Sequence, residues 1–242
     1  MLEGRMAMKN DKVISKTNSP SEKPINQRRK KSKLLYIKCA EQIIRNEGVS
    51  ALNIRRIAME LGNNSATLYT YFEDIEELII YCTFKIRKEY LEHLARELNT
   101  DMSPLEQYVK FYEIYCYYSF DEPEIYYNMY FGKYGERLYR IRDAYYELFP
   151  TERVQTTPMI DSMLWARNVY EGERNITRYL AEQGYIEAKN ADMIANIIVR
   201  VHSSYMHDLF TYKHMSATLA RHEFLDSLLH ILSVNSPKKL PS

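Results

Sequence analysis

The chain is poor in the residues that interrupt helices, with seven glycines and eight prolines among 242 positions. Period-two runs of β-branched residues are missing too, which excludes a sandwich or barrel and leaves an all-α protein. The three cysteines, Cys39, Cys82 and Cys116, stand far apart and form no CxxC pair or disulfide framework, as fits a reducing cytosol. No apolar run approaches the length that spans a bilayer, and the first residues are polar rather than those of a secretory leader. A cytoplasmic location with no membrane partner is therefore expected. Phosphate-cradling glycine loops and nucleophile elbows are absent, so no enzyme is expected. What is present is a 45% apolar and 27% charged chain, enough for a sizeable helical core.

The net charge of +1 conceals an asymmetry. Through Phe72 there are 14 Lys and Arg against 6 Asp and Glu, a net of +8; the remainder carries 19 against 26, a net of −7. A basic head on an acidic body is the footprint of a chain whose first part meets a polyanion, although a basic tail without a specific partner has the same composition. Much of the excess lies in Asn26 to Lys33, inside a Pro/Ser/Asn/Lys-rich stretch over 1–32 that reads as a flexible arm.

The spacing predicts a first helix over about 33–47, with Cys39, Ala40, Ile43 and Ile44 on one face and Gly48 ending it. Asn53 caps a second helix with Ile54, Ile57, Ala58 and Leu61 inward and Arg55 and Arg56 outward. Gly62-Asn63 turns the chain, Asn64 caps a short third helix to about Phe72, and Asp74 caps a fourth to about Leu98. Two short helices joined by a glycine-containing turn form a helix-turn-helix, whose second member enters a DNA major groove. With Leu68 and Phe72 inward, Ser65, Ala66, Thr67, Tyr69, Thr70 and Tyr71 remain on the outer face. Small residues there allow close seating, and hydroxyl and methyl groups suit base edges and phosphates. An ordinary helical hairpin with a polar face would share this pattern.

The stretch Tyr36 to Ile79 resembles the N-terminal domain of the tetracycline-repressor (TetR) family of bacterial transcription regulators. Cys39-Ala40 and Ile43-Ile44 fall at the family's small and large positions of the first helix, and Gly48 at its glycine. Asn53 stands at the cap usually held by Thr, Ile57-Ala58 match the Ile-Ala pair, and Gly62 the turn glycine. Thr67-Leu68-Tyr69 and Phe72 match Thr-Leu-Tyr-x-x-Phe of the recognition helix, and Glu76 and Leu78 the start of the next helix. Three positions depart: Asn63 for a small aliphatic residue, Tyr71 for a common His, and Ile75 for a phosphate-binding Lys.

The resemblance implies a homodimeric, ligand-responsive repressor on a palindromic double-stranded DNA operator. Its parts would be a basic arm (1–32), a helix-turn-helix domain (33–79), a helical ligand-binding and dimerisation domain (80–234) and a loose tail (235–242). Arg55 is the best candidate for a direct base contact, because guanidinium to guanine is the commonest specific pairing. Thr67, Thr70 and Tyr71 would read bases beside it, with Asn64, Ser65 and Ala66 at the start of the same surface. Asn53, Tyr69 and the arm residues Arg28, Arg29, Lys30 and Lys31 would hold phosphates. An adaptor or co-activator of the same fold that binds proteins rather than DNA is the alternative, supported by Ile75.

In the body, proline and glycine punctuation predicts helices over 104–120, 123–130, 133–149, 158–183, 187–213 and 216–233. Ile194, Ile197, Ile198, Val201, Tyr205 and Leu209 form one apolar stripe; Met159, Met163, Ala166 and Tyr170 form another. These stripes suit a four-helix dimer interface, or each subunit's own core. Gly172 lies where helices could approach across a dimer or where a kink falls. Tyrosine is plentiful, with 22 residues clustered around 112–118 and 126–134. Tyr112, Tyr115, Tyr126, Tyr130, Trp165, Asn168 and Tyr170 are candidates to line a cavity for an aromatic or cationic inducer, or else are plain core. His202, His207, His214 and Asp208 are too unevenly spaced for a shared metal, and Glu89 with His93 lacks a third ligand. No metal and no cofactor is expected; a helical metal or redox enzyme would rest on these scattered groups alone.

Overall fold

In the computed structural model, residues 22–212 and 215–237 are described, with side chains from Gln27 onward, and the fold is all-α. The parts of the expected arm and tail at 1–21 and 238–242, and His214, lie outside the described residues.

Helix α1 spans Glu22–Glu47 and thus begins well before Lys33. The apolar stripe does start near Lys33, but the preceding Gln, Arg and Lys are good helix formers, Pro24 sits in the first turn, and a nucleated helix propagates cheaply. The arm at 22–32 is therefore helical. A 3₁₀ turn, Val49–Ala51, leads to α2, Ile54–Glu60. The α2 end is closed by two bonds, Asn63 N–H to the Ala58 carbonyl (2.9 Å) and Gly62 N–H to the Met59 carbonyl (3.2 Å). This arrangement needs a left-handed residue at Gly62, whose φ is 61°, a conformation cheap only for glycine. A 3₁₀ segment, Ser65–Thr70, follows, and then α3, Ile75–Glu97.

The body adds α4 (Pro104–Asp121), α5 (Pro123–Phe131), α6 (Leu138–Leu148), α7 (Pro158–Leu164), α8 (Val169–Glu182), α9 (Ala191–Thr211) and α10 (Ala217–Val234). A 3₁₀ turn at Gly135–Arg137 replaces the expected start of α6 near Lys133. The single helix expected over 158–183 is two, because Asn168 takes extended geometry and its side chain accepts from Glu171 N–H (3.0 Å) as an N-cap. Gly172 then lets α7 lie against α8: a Cβ there would stand 2.7 Å from the Met163 carbonyl oxygen. The close approach at Gly172 is thus within one subunit.

Two hydrophobic clusters hold these elements. The first joins α4, α8, α9 and α10 around Phe111, Tyr112, Ile176, Ile198 and Phe224. The second packs Ile37, Ile57, Leu68, Phe72 and Tyr81 together with Met129, Leu138, Ile141 and Tyr145 from α5 and α6. The head's core therefore does not close at residue 79. Helix α3 belongs to both clusters, its first half to the second and Tyr90 to Leu94 to the first.

Candidate nucleic-acid interface and ligand cavity

On the head, three caps set the backbone. Asn53 Oδ1 accepts from Arg56 N–H, Asn64 Oδ1 from Ala66 N–H, and Asp74 Oδ1 from Glu77 N–H, each at 2.9 Å. The Asn53 acceptor is thus occupied within the helix, and its amide donates one long bond to the Ala51 carbonyl (3.5 Å), which leaves its second N–H for an outside contact. Neighbouring arginines differ sharply. Arg56 is tied to Glu60 (2.9 Å) and Glu47 (3.0 Å), whereas Arg55 is exposed and forms no ion pair among the described residues. Ala66, Tyr69 and Thr70 are exposed, with Ser65 and Thr67 half-buried at the margin. Tyr71 does not join this face: it is half-buried, its ring 5.5 Å from that of Tyr36. The reason is local: the 3₁₀ segment ends at Thr70, and Tyr71 closes it with a backbone bond to Leu68, turning its ring toward α1.

Within 28–31, the four cations divide. Arg29 Nη2 donates to the Thr70 carbonyl (3.1 Å), and Lys30 Nζ to the Glu147 carbonyl at the end of α6 (3.0 Å). Arg28 and Lys31 remain exposed. Asn63, the departure in the turn, donates from Nδ2 to the Tyr36 hydroxyl (3.3 Å) and so fastens the turn to α1.

In the body, a cleft between α3, α4, α5, α6, α9 and the α7–α8 junction has an empty volume of about 670 Å³ counting its open mouth. Of the expected residues, Tyr112, Tyr115, Tyr130 and Asn168 line it. Tyr126 is buried behind Tyr115 (ring centroids 6.0 Å apart), Tyr170 packs on Phe131 (6.4 Å), and Trp165 lies beside the cleft between Tyr146 and Arg153. The displacement of Trp165 and Tyr170 follows from the break at Asn168, which rotates the 158–183 stripe apart. Arg87, Arg142 and Arg167 also line the cleft, and among the described residues no aspartate or glutamate does. That charge disfavours the cationic ligand that the tyrosines suggested.

The dimer stripe is likewise redistributed. Ile194 and Ile198 are fully buried in their own subunit's core, and Val201, Tyr205 and Leu209 pack partly against it. Met163 lines the cleft and Tyr170 its neighbourhood. Only Ile197 of the stripe is exposed, beside Met193 one turn away. No group of three metal-capable side chains and no helix long and apolar enough to cross a membrane occurs among the described residues.

Residues 37–82 match the family described as bacterial regulatory proteins, tetR family. The head is a TetR-family helix-turn-helix domain. No curated protein matches the chain. Among solved structures, the fold is similar to Thermus thermophilus FadR, a TetR-family transcriptional repressor in complex with lauroyl-CoA. That likeness has 15% identity and a TM-score of 0.53, and covers 87% of this chain and 98% of that one. A protein of Shewanella sp. PV-4 assigned to the tetR family of transcription regulators is similar at 13% identity over 85% and 98%, with a TM-score of 0.47. The chain thus has the fold of a TetR-family transcription regulator, the match to the head being carried by sequence and that of the body by shape.

Behind the cleft wall of this TetR-type body lies a buried carboxyl. The Tyr108 and Tyr112 hydroxyls both donate to Glu173, the second at 2.7 Å. Burial pushes the Glu173 carboxyl up from 4.5 to about 7, against the pull of the two phenol bonds. Nearby, His202 is stacked between Tyr115 (4.7 Å) and Phe120 (4.9 Å), and burial pushes its imidazole down to about 3. Their linkages have opposite signs. Between pH 4.5 and 7 the folded state holds the Glu173 proton that the unfolded state has lost, so stability falls as pH rises. Below pH 6.5 the unfolded state takes up a proton that folded His202 refuses, so stability falls as pH drops. We expect Glu173→Gln to be stabilised relative to the parent increasingly from pH 5 to 7.5, by up to about 3 kcal/mol. Urea unfolding at each pH measures it; a pH-independent difference would contradict an uncharged Glu173.

Proposed function

We propose that the chain is a sequence-specific DNA-binding transcription regulator, a homodimeric repressor released from an approximately palindromic operator by a small ligand in the cleft. The observation that carries this is the free Arg55 beside the exposed Ala66, Tyr69 and Thr70 on a capped helix-turn-helix. Arg55 would read a base edge in the major groove, with Thr70 and the half-buried Thr67 beside it. Tyr69, the Asn53 amide, Arg28 and Lys31 would hold phosphates. Such a regulator would act in the cytoplasm.

The cleft supports ligand control because two of its walls, α3 and α6, also pack in the head's core. A ligand that prefers one spacing of those helices biases the head by that difference in affinity. The lauroyl-CoA bound to the Thermus repressor of similar fold agrees with a body that accepts a ligand. Dimerisation would use the outward faces of α9 and α10, where Met193, Ile197 and Leu229 are exposed.

Selection of bound duplexes from a random DNA pool by the purified protein, at physiological salt with competitor, tests the reading. An enriched inverted repeat with half-site centres one helical turn apart, about 34–36 Å, is expected. A folded protein that enriches nothing would instead favour the protein-binding adaptor.

A further inference from the structure

Arg87 lies midway along α3 and is 5% exposed. Its guanidinium sits among the rings of Phe84 (5.6 Å), Tyr90 (5.7 Å) and Tyr130 (5.6 Å). Such rings attract a cation but accept no ordinary hydrogen bond. Among the described residues, Arg87 Nε has no acceptor, and the buried Tyr90 hydroxyl has no partner either. Arg87 forms no ion pair among the described residues, and arginine cannot shed its proton to relieve the cost. Buried charges are normally paired, and a buried donor without an acceptor is strongly disfavoured. Burial also pushes the Tyr90 phenol up, so it stays a neutral donor.

Two orphan donors, one of them cationic, thus belong to side chains that line one cleft, whose remaining lining is largely aromatic and aliphatic. The missing partner is an anion. Two donors match the two oxygens of one carboxylate better than the three of a phosphate dianion. The other arginines add little to a larger head group: Arg142 already donates to the Ala166 carbonyl (2.7 Å) and pairs with Asp143 (3.1 Å), and Arg167 is exposed. The rings of Phe84, Phe111 and Tyr130 offer an apolar bed for the rest of the molecule.

We propose that the cleft binds an apolar monocarboxylate whose oxygens accept from Arg87 Nε and the Tyr90 hydroxyl. This deepens the reading of the cleft as the regulator's ligand site and names its ligand class. The carboxylate completes the hydrogen bonding of these two donors, so binding is selective for charge as well as for shape.

The test compares matched trios on the full chain without DNA, so that it stands apart from operator recognition. The trios are 2-naphthoate, 2-naphthamide and 2-naphthylmethylamine, and decanoate, decanamide and decylamine. Trp165, the one tryptophan, lies beside the cleft and reports binding by its fluorescence. At least one carboxylate is expected to bind, its amide roughly thirty-fold or more weaker and its amine weaker still. Amide or amine binding equal to the carboxylate, or no binding by either carboxylate, would overturn the proposal. Arg87→Met should leave the ligand-free melting temperature unchanged or higher, since an uncompensated charge is removed, and lose carboxylate affinity by roughly thirty-fold. A lower melting temperature, or retained affinity, would make Arg87 structural instead. Tyr90→Phe keeps the ring and should weaken the carboxylate about ten-fold, with the amide little changed; equal loss for both would also count against the assignment. Failure of DNA selection with intact carboxylate selectivity would sink the regulator reading alone.

Discussion

Leu68→Ala is expected to cost about 2–5 kcal/mol, a large share of the roughly 5–15 kcal/mol that holds a typical domain folded. Leu68 is 1% exposed and is the inward anchor of the Ser65–Thr70 segment. Its carbonyl accepts from Tyr71 N–H (2.9 Å) and Phe72 N–H (3.1 Å), so its side chain and backbone together fix the outer face that would meet DNA. A 3₁₀ segment of six residues has little stability of its own, and burial of this one side chain holds it in register. Because the same cluster includes Ile141 and Tyr145, the loss should also be felt in α6. Hydrogen exchange on the variant should show faster exchange in α1, α2 and α6 together. Loosening confined to 65–72 would mean that the two parts of the cluster are energetically separate.

Arg55→Ala is expected to weaken binding to a selected site by about 5–150-fold, the 1–3 kcal/mol of a bidentate base contact, and binding to random DNA far less. The neighbouring Arg56 is the internal control. Its guanidinium is held by Glu47 and Glu60, so Arg56→Ala should disturb the α1–α2 packing more than site preference. Neutralising Arg28 and Lys31 together should weaken both classes of DNA alike and lower the slope of log affinity against log salt by about two. Equal losses on selected and random DNA for Arg55→Ala would move base reading elsewhere on the head. Arg29 and Lys30 are poor choices for this test, because their bonds to the Thr70 and Glu147 carbonyls mix DNA contact with folding.

Local chemistry made much of the chain legible. Asp74, Pro104 and Pro123 start α3, α4 and α5 near where spacing places them. Gly62 marks the turn, and the inward roles of Ile57, Leu68 and Phe72 follow from helical periodicity. These signals act within a few residues, so a single strand of sequence contains both partners of each interaction. The start of α1 escaped this logic because the apolar stripe begins only near Lys33, whereas helix propensity and propagation carry the helix back to Glu22. The break at Asn168 escaped it because one polar residue inside a continuous helical stripe reads as part of that helix until its side chain is seen to cap Glu171.

Tertiary structure decided the rest. Ile194 and Ile197 lie on one apolar stripe, yet the first is buried in its own subunit and the second is exposed. Among many tyrosines at helical spacing, packing alone separated Tyr112, Tyr115 and Tyr130 at the cleft from Tyr126 behind it. Arg87 is the sharpest case. In the sequence it is one more cation on a charged helix, whereas in the fold it stands among aromatic rings with Nε unpaired. The physical reason is common to all three: hydrogen bonds of caps and turns close over a few residues, but burial and charge compensation depend on which distant segments arrive at the same place.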